Sequence, residues 1–261
     1  MKAKQTVLIT GATGGIGYAL AEIFARNGYN LALTGRNLEK LTSIKDRWER
    51  QYNIDIKHCL KDLAVSTTPD EMYQALHAEM IEVDILVNNA GFGLLGEFSR
   101  LSLSDQLEML QVNITALTHL TRLFLPDMIQ RKQGKILNVA STAAFLPGPG
   151  MAVYYASKAY VLSFSAALSH EVRSSGITVT ALCPGPTNTG FQARAGMAHA
   201  NIFKRMSVMS AEEVAAIGYR GLLKGKPIVV TGTLNTLSAF STRFMPRQWL
   251  MNIVEKLHGT K

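Results

Sequence analysis

Short, wholly apolar segments alternate along the chain with longer segments in which apolar residues recur every three or four positions. The short segments are rich in β-branched residues, which is typical of strands buried on both faces, and the longer ones have the period of helices that pack along one side. The pattern predicts strands near residues 5–10, 30–34, 55–59, 83–87, 135–139, 177–182 and 227–231. It predicts helices near residues 18–27, 38–52, 70–80, 104–130, 154–174 and 211–224. Pro126 is expected to interrupt the long helix at 104–130.

This alternation predicts an α/β fold: a doubly wound parallel sheet of the Rossmann type, with about seven strands and helices on both faces. No repeat, low-complexity tract or linker interrupts residues 1–261, so we interpret the chain as one domain. Residues 187–210 show no clear strand. Their apolar, methionine-containing composition suggests a substrate lid, and an ordinary loop packed on the core is the alternative.

A glycine-rich turn, Gly-Ala-Thr-Gly-Gly-Ile-Gly at residues 11–17, joins the first strand to its helix. Small residues let the backbone approach a pyrophosphate, and a helix N-terminus offers N–H donors and a partial positive charge. The glycine spacing differs from the Gly-x-Gly-x-x-Gly fingerprint, and a tight turn without a ligand is the alternative. Between a strand and a helix, the pattern favours a dinucleotide site.

Side chains at the next two strand ends bear on which dinucleotide is bound. The second strand ends in Gly35-Arg36, and no acid occurs between Asn30 and Leu38. An acid there would hold the ribose 2′-hydroxyl of NAD, whereas an arginine accommodates a 2′-phosphate, so Arg36 favours NADP over NAD. Asp62, at the third strand end, could accept the adenine amino group or only close an Asx turn.

Tyr154 and Lys158 are four residues apart on a predicted helix, and Ser141 precedes them at the end of the fifth strand. The i, i+4 spacing puts the phenol and the ammonium on one face, a turn apart. A fixed cation favours tyrosinate, so we expect Lys158 to lower the pKa of Tyr154 and make it an acid/base. Ser141 could hydrogen-bond a substrate oxygen held against that phenol. Asn113 lies within a predicted helix, where it either holds a water near Lys158 or is merely an exposed polar residue.

In their order and spacing these motifs resemble the short-chain dehydrogenase/reductase family. They are Thr10-Gly11-x-x-x-Gly15-x-Gly17, Asn88-Asn89-Ala90-Gly91, Asn113, Ser141, Tyr154-x-x-x-Lys158 and Pro184-Gly185, and the match covers about residues 6–189. The resemblance implies that Tyr154 is the catalytic acid/base and that Lys158 lowers its pKa and binds the nicotinamide ribose. It implies that Ser141 orients the substrate carbonyl and that Asn113 completes a proton relay. Tyr155 is a rival phenol, but only Tyr154 has the four-residue spacing to Lys158.

The predicted site follows from the residues and the resemblance together. The predicted catalytic residues are Asn113, Ser141, Tyr154 and Lys158. The predicted cofactor-binding residues are Gly11, Thr13, Gly15, Ile16, Gly17, Arg36, Asp62, Leu63, Asn89, Ala90, Gly91, Tyr154, Lys158, Pro184, Gly185, Thr187 and Thr189. The predicted function is hydride transfer between a nicotinamide cofactor, preferably NADP, and a small-molecule carbonyl or alcohol, with an apolar substrate favoured.

Two alternative functions carry different expectations. A sensor or scaffold that binds NADP without turnover would have no need of all four predicted catalytic residues, so their joint presence counts against it. An epimerase or dehydratase of the extended branch of the same family would need a separate substrate domain, for which little chain remains.

Composition and charge indicate the cellular compartment and argue against a metal or a nucleic acid as partner. The two cysteines, Cys59 and Cys183, form no C-x-x-C pair, which fits a reducing compartment, and the six histidines show no metal-ligand spacing, so no metal is predicted. The apolar run at residues 7–9 is too short for a signal-peptide core, and we expect a cytoplasmic protein. The net charge is +8, but basic residues do not cluster with interleaved aromatics as in nucleic-acid-binding proteins.

Residues 234–261 form an amphipathic C-terminal segment. Seven Lys/Arg and one acid lie in residues 220–261, so this stretch carries +6 of the net +8. One interpretation is weak contact with an anionic membrane surface. The simpler interpretation is docking on the sheet domain or on another subunit. The family resemblance implies a homo-oligomer, a dimer or tetramer, that pairs through the long helices near residues 104–130 and 154–174.

Overall fold

Seven strands form one parallel sheet in the computed structural model, which describes residues 4–196 and 208–258. Two further short strands lie outside this sheet. All the strands, in chain order, are β1 Thr6–Thr10, β2 Asn30–Gly35, β3 Ile56–Leu60, β4 Ile85–Asn88, β5 Gly134–Val139, β6 Ile177–Cys183, β7 Thr187–Asn188, β8 Met209–Ser210 and β9 Ile228–Val230. The sheet order is β3-β2-β1-β4-β5-β6-β9, and β7 and β8 pair separately. The predicted doubly wound parallel fold is confirmed.

Helices cover both faces of this sheet. Those on the first face are Gly15–Arg26, Leu38–Tyr52 and Ala211–Leu223. Those on the second face are Thr68–Ala78, Leu103–Leu110, Leu117–Arg131 and Ala152–Glu171. Adjacent residues of β1 serve different faces, because strand side chains alternate: Leu8 packs in one apolar cluster, and Val7 and Ile9 pack in the other.

The strand order reverses at β1. The chain adds β2 and β3 on one side of β1 and then returns to place β4 on the other side. Crossovers that leave in opposite directions open a crevice at the carboxyl ends of the two middle strands, which is where doubly wound folds bind ligands. Thr10 ties these ends together, since its Oγ1 accepts hydrogen bonds from the backbone N–H groups of Asn89 and Ala90, each at 3.0 Å.

The long helix is interrupted, but not at Pro126. Its middle, Gln111–Ala116, is π-helical, and Pro126 lies inside the regular helix Leu117–Arg131. The wide turn contains Asn113, whose side chain leaves the helix and bonds with the backbone of Phe92. The position of the interruption was therefore predicted wrongly: a buried side chain with partners outside the helix is associated with the irregular turn, and the proline is not.

The segment after β6 contains more structure than its sequence pattern indicated. Thr187–Asn188 pairs in parallel with Met209–Ser210, so the expectation of no strand in residues 187–210 was wrong. The two strands are only two residues long, too short to leave an alternating pattern. A short helix, Phe191–Arg194, follows the first of them. The predicted lid residues at 197–207 lie outside the described residues.

Two further helices, Thr233–Ser241 and Arg247–His258, follow β9. The second packs one face against the body of the molecule, burying Leu250 and Val254, and leaves Trp249 exposed. Docking of the C-terminal segment on the sheet domain is thus present, and its opposite face remains on the surface. Within residues 4–196 and 208–258, no helix is both long and apolar enough to cross a membrane.

Candidate active site

A cavity of about 680 Å³ opens at the carboxyl edge of the sheet. The predicted site residues that line it are Gly11, Thr13, Gly15, Ile16, Arg36, Asp62, Leu63, Asn89, Ala90, Gly91, Ser141, Tyr154, Lys158, Pro184, Gly185, Thr187 and Thr189. Gly17 and Asn113 do not line the cavity and lie behind its wall. Residues from six separate strand ends therefore converge on one space, as the parallel topology requires.

The glycine turn is packed so closely at Gly17 that a side chain has no room there. A Cβ atom at Gly17 would lie 2.3 Å from Asn89 Nδ2 and 2.3 Å from the Gly11 carbonyl oxygen. Gly11 itself has a φ of +67°, a backbone conformation that disfavours other residues. Asn89 Nδ2 donates to the carbonyl oxygens of Thr10 and Gly11 at 2.9 and 3.2 Å, which holds the turn against the end of β4.

Gly14 contrasts with its neighbours in the turn. It is the N-cap of the helix Gly15–Arg26, no side chain caps that helix, and a Cβ at Gly14 would meet no atom within 4 Å. Unsatisfied N–H groups at a helix N-terminus that faces a cavity form an anion-binding site. The geometry therefore fits the diphosphate of a dinucleotide, and the alternative of a ligand-free tight turn leaves these donors and the open space in front of them unexplained.

A charged cluster lies at the ends of β2 and β3. Arg36 Nη1 is 3.6 Å from Asp62 Oδ2 and 3.9 Å from Glu108 Oε1, and Arg194 Nη2 is 3.6 Å from the same Glu108 oxygen. Asp62 Oδ1 also accepts from the Ala64 N–H at 3.0 Å, so the Asx turn is present. All the pairs are long and half-exposed, and such pairs hold a guanidinium only weakly. Arg36 is therefore free to turn toward an anion in the cavity.

Arg194 was missed by the sequence reasoning. Its guanidinium carbon lies 4.0 Å from the ring centroid of Phe92, and it lines the same cavity as Arg36. Burial and the neighbouring Arg36 cation lower the pKa of Arg194. The signal was weak, because a single arginine after an irregular segment has no motif around it.

Ser141 lies at the end of β5 and begins a short 3-10 helix, Thr142–Phe145. Its Oγ accepts from the Ala143 N–H at 3.1 Å and donates to the Pro184 carbonyl at 3.4 Å. It also lowers the pKa of the Tyr154 phenol. Two strand ends, those of β5 and β6, thus fix the hydroxyl beside the phenol.

Tyr154 and Lys158 lie on one face of the helix Ala152–Glu171, both buried. Lys158 Nζ donates to the Val139 carbonyl at 2.9 Å and lies 5.8 Å from the centroid of the Tyr154 ring. Burial raises the pKa of Tyr154 to about 12, and the hydrogen bond with Ser141 offsets only part of this rise. Burial also lowers the pKa of Lys158 to about 8. The expectation of a lowered tyrosine pKa was wrong for this arrangement, because desolvation of the phenolate outweighs a cation at this distance.

Asn113 is buried, which excludes the interpretation as an exposed polar residue. Its Oδ1 accepts from the Phe92 N–H at 3.1 Å, and its Nδ2 donates to the Phe92 carbonyl at 2.9 Å and to Ser157 Oγ at 3.0 Å. A Cβ at Gly91 would lie 3.0 Å from Asn113 Oδ1 and 3.3 Å from Lys158 Nζ. Asn113 thus supports the strand end beside Lys158 from behind.

The far wall of the cavity comes from the C-terminal helices, which the sequence reasoning did not assign to the site. The lining residues from this wall are Asn235, Ser238, Ala239, Ser241, Thr242, Met245, Leu250, Ile253, Val254, Leu257 and His258. His258 contacts Tyr155, the neighbour of Tyr154. The amphipathic spacing of the C-terminal helices was visible in the sequence, but the sequence did not indicate which part of the molecule their apolar faces would pack against.

No group of three or more His, Cys, Asp or Glu side chains among the described residues is arranged to hold a metal ion.

Comparison with known proteins assigns the family. The family model described as short chain dehydrogenase matches residues 5–200. The NADP-dependent 3-hydroxy acid dehydrogenase of Salmonella typhi is 36% identical over 180 residues, which cover 69% of this chain and 71% of that protein. The chain belongs to the short-chain dehydrogenase family, and the family predicted from the motifs is confirmed.

Solved structures agree with this assignment. A short-chain dehydrogenase from Sphingobium yanoikuyae in complex with NADPH is 31% identical, with a TM-score of 0.83 and 95% of each chain covered. A bulky-bulky ketone specific alcohol dehydrogenase from Comamonas testosteroni is 28% identical, with a TM-score of 0.78 and 92% of each chain covered. The likeness to both extends past residue 200, where the family match ends.

Proposed function

We propose that this chain, acting as one domain, is an NADP-preferring oxidoreductase that interconverts a ketone or aldehyde and its alcohol, with Tyr154 as the acid/base. One observation carries the proposal: Ser141, Tyr154 and Lys158 meet in a cavity whose other end is the uncapped helix N-terminus at Gly14. A proton-transfer group and a dinucleotide cradle in one space are the two parts that carbonyl reduction needs. When bound, the nicotinamide supplies the hydride to the carbonyl carbon or takes it back.

The side chains supply the proton and hold the oxygen. When substrate binds, the Ser141 hydroxyl gives up its long 3.4 Å bond to the Pro184 carbonyl and donates to the substrate oxygen, which polarises the carbonyl. Tyr154 gives its phenolic proton to that oxygen during reduction and takes it back during oxidation. Its pKa of about 12 keeps the phenol protonated at neutral pH, so the group is ready to act as an acid. The Lys158 cation, 5.8 Å from the centroid of the Tyr154 ring, stabilises the phenolate that remains.

Asn113 acts by positioning. Its two bonds to the Phe92 backbone hold the loop after β4, and its bond to Ser157 holds the helix that carries Tyr154 and Lys158. The cofactor wall and the catalytic helix are therefore fixed to one buried amide. The role of Asn113 in a proton relay at Lys158 stays a prediction.

The preference for NADP rests on Arg36. It lines the cavity at the end of β2 with weakly held partners, and an arginine at this place accommodates a 2′-phosphate. The similar Salmonella protein is named as NADP-dependent, and the similar Sphingobium structure contains NADPH. Both agree with a phosphate at Arg36.

The substrate is neutral and largely apolar. Phe145, Leu146, Met151 and Phe191 line the cavity around Tyr154, and the C-terminal helices add further aliphatic side chains. A charged substrate would be costly to bury against such a surface without a partner. The similar Comamonas dehydrogenase is named for bulky ketones, which agrees with a wide apolar site.

The decisive experiment compares wild type with Tyr154→Phe, using NADPH absorbance and a panel of ketones, aldehydes and alcohols. Tyr154→Phe should retain NADPH binding and lose turnover by at least about 100-fold, since it removes only the proton donor. Tyr155→Phe is the matched control for the chemical step: it should retain kcat, because it leaves the proton donor Tyr154 in place. Equal turnover of wild type and Tyr154→Phe would refute the assignment. A wild type that binds NADPH and reduces nothing would favour the sensor or scaffold.

We also infer a weak peripheral contact with anionic membranes through the outer face of the C-terminal helices. The exposed apolar side chains there that do not line the cavity are Leu234, Leu237, Phe240, Phe244 and Trp249. Arg243 lies over the ring of Phe240, and residues 220–261 carry +6. Two copies of a segment with a net charge of +6 would repel each other, whereas anionic lipid would attract the segment.

Vesicle co-sedimentation tests this contact. Phe244→Ser with Trp249→Ser should abolish binding to phosphatidylserine vesicles, and Phe98→Ser, an exposed phenylalanine in another part of the chain, should not. Binding that is unchanged in the double variant, or equal on neutral vesicles, would contradict the inference.

The protein is expected to be cytoplasmic and to form a dimer or tetramer through the long helices. Leu107 and Ile129 are exposed on one of them, and Tyr160 on the other, where it stacks on Phe164. Such apolar side chains on a helix surface suit a subunit interface. Light scattering after gel filtration would measure the mass, and a monomer at micromolar concentration would contradict this expectation.

A further inference from the structure

The C-terminal helix Arg247–His258 ends beside the catalytic helix. Val254 packs in the same apolar cluster as Met151, Tyr154 and Tyr155. The ring of Tyr155 lies 6.0 Å from that of Tyr154 and 5.6 Å from that of His258. The last turn of the chain that the structure describes is therefore only one aromatic ring away from the predicted acid/base.

His258 is buried, and both of its ring nitrogens are hydrogen-bonded. Nδ1 lies 2.8 Å from the carbonyl oxygen of Pro149, and Nε2 lies 3.0 Å from the hydroxyl of Tyr155. A carbonyl can only accept, so Nδ1 carries the proton. In the neutral ring Nε2 must then accept, and Tyr155 donates to it. Burial lowers the pKa of His258, which agrees with a neutral ring.

The Tyr155 ring is held in one position by the loop that packs against it. A Cβ at Gly148 would lie 2.2 Å from Cγ of Tyr155, so the loop backbone lies directly on the ring. The Pro149 carbonyl belongs to the same loop. The Tyr155 hydroxyl and the Pro149 carbonyl are thus held at fixed positions on either side of His258. A neutral imidazole, which has one N–H donor and one nitrogen acceptor, satisfies both.

The C-terminal wall offers nothing else for a charged substrate. Among the described cavity-lining residues from position 235 onward, His258 is the only one with a titratable side chain, and both of its nitrogens are already bonded. A carboxylate placed against this wall would lack a cationic partner. The wall suits the hydrocarbon part of a neutral ketone, and it does not suit a hydroxy acid.

We propose that His258 is a positioning residue that fastens the C-terminal helix as the wall for the larger substituent of a neutral ketone, and so sets the size of substrate accepted. This rests on the proposed function, since it concerns the substrate side of the same cavity. The wall is formed by residues beyond position 200, where the match to the family model ends. The preference for bulky neutral ketones is therefore a property of this segment.

The test compares His258→Phe with His258→Gln. Phenylalanine keeps the ring and loses both hydrogen bonds, whereas the glutamine amide has one donor and one acceptor and should restore most of the effect. For propiophenone, His258→Phe should raise KM about tenfold, the usual size of one or two lost hydrogen bonds. For acetone, KM should change less than about twofold, and the Kd for NADPH should not change, because neither depends on this wall. His170→Phe, on an exposed histidine, is the matched control.

A second readout does not need activity. Amide hydrogen exchange in residues 247–258 should be faster in His258→Phe than in wild type and close to wild type in His258→Gln. Tyr155→Phe should produce a similar change and should add little to His258→Phe, since both variants break the same bond.

Unchanged exchange in His258→Phe, or equal effects on propiophenone and acetone, would overturn the proposal. If wild type reduced no ketone, both the proposed function and the role of His258 in substrate specificity would be refuted. The exchange data would still show whether His258 holds the helix, so the two failures can be told apart.

Discussion

The glycine turn after β1 and the C-terminal helix wall the same cavity, but they are built in different ways. At Gly17 the backbone lies against the Gly11 carbonyl of the same turn and against the Asn89 amide, and even a methyl group has no room. At the C-terminal helix the contacts are between side chains, and half of the helix surface is exposed. A wall made of backbone is specified by a few glycines, whereas a wall made of side chains can change shape with every substitution. We therefore attribute cofactor binding to the first wall and substrate choice to the second.

The largest expected effect separates the two faces of the C-terminal helix. Leu250→Ala should lower the free energy of unfolding by about 2–4 kcal/mol, because it removes a buried side chain and leaves a cavity. Trp249→Ser, one residue away and exposed, should change it by less than about 0.5 kcal/mol. Urea denaturation of both variants measures the difference. Similar values would mean that the helix is not docked as described.

The next effect separates two glycines of the turn. Gly17→Ala should cost about 1–3 kcal/mol of stability even without a cofactor, because the added methyl meets backbone and the Asn89 amide. Gly14→Ala should leave the stability of the free protein unchanged and weaken NADPH binding, because its methyl would point into the space for the diphosphate. Thermal unfolding and NADPH titration decide the matter. A destabilised Gly14→Ala protein would show that this turn is not the open cradle described.

A smaller effect concerns Arg36. Arg36→Ala should weaken NADPH about 30-fold and NADH less than about threefold, because only the former has a 2′-phosphate to lose a charged hydrogen bond. Arg194→Ala is the informative partner, since it lines the same end of the cavity. Fluorescence titration with both cofactors measures the ratio. Equal losses for NADPH and NADH would remove Arg36 from cofactor discrimination.

The smallest expected effect is the pH dependence of carbonyl reduction, which follows from Lys158 in the cavity between the two walls. Burial lowers the pKa of Lys158 to about 8, so this group is a cation below that pH and loses its charge above it. Tyr154, with a pKa of about 12, remains a proton donor throughout. The rate of carbonyl reduction should therefore be steady from pH 6 to 7 and about tenfold lower at pH 9. A rate that stays constant to pH 9 would mean that the charge of Lys158 is not required.

Much of the fold and the first wall could be predicted from sequence because their signals are local. Strands buried on both faces leave continuous apolar runs, and the glycine turn leaves its spacing at a strand end. The spacing of Tyr154 and Lys158 also fixes their common face, once a helix is assumed.

The remaining features depend on contacts between residues distant in sequence. Tyr155 and His258 are 103 residues apart, and no local pattern joins them. The raised pKa of Tyr154 depends on how deeply the phenol is buried, which spacing to Lys158 does not report. The role of Arg194 also depends on residues distant in sequence, because only folding brings it next to Phe92 and Glu108.

The π-helical turn at Gln111–Ala116 has a consequence for how this chain tolerates insertions and deletions. A π turn contains one residue more than the α-helical turn it replaces, so the placement of Asn113 depends on the number of residues as well as on their identity. Removing one residue there would let the helix close regularly and would rotate one flanking part by about 100° relative to the other. Surface loops in general can change length at little cost in stability, but here the number of residues in a helix decides where Asn113 lies.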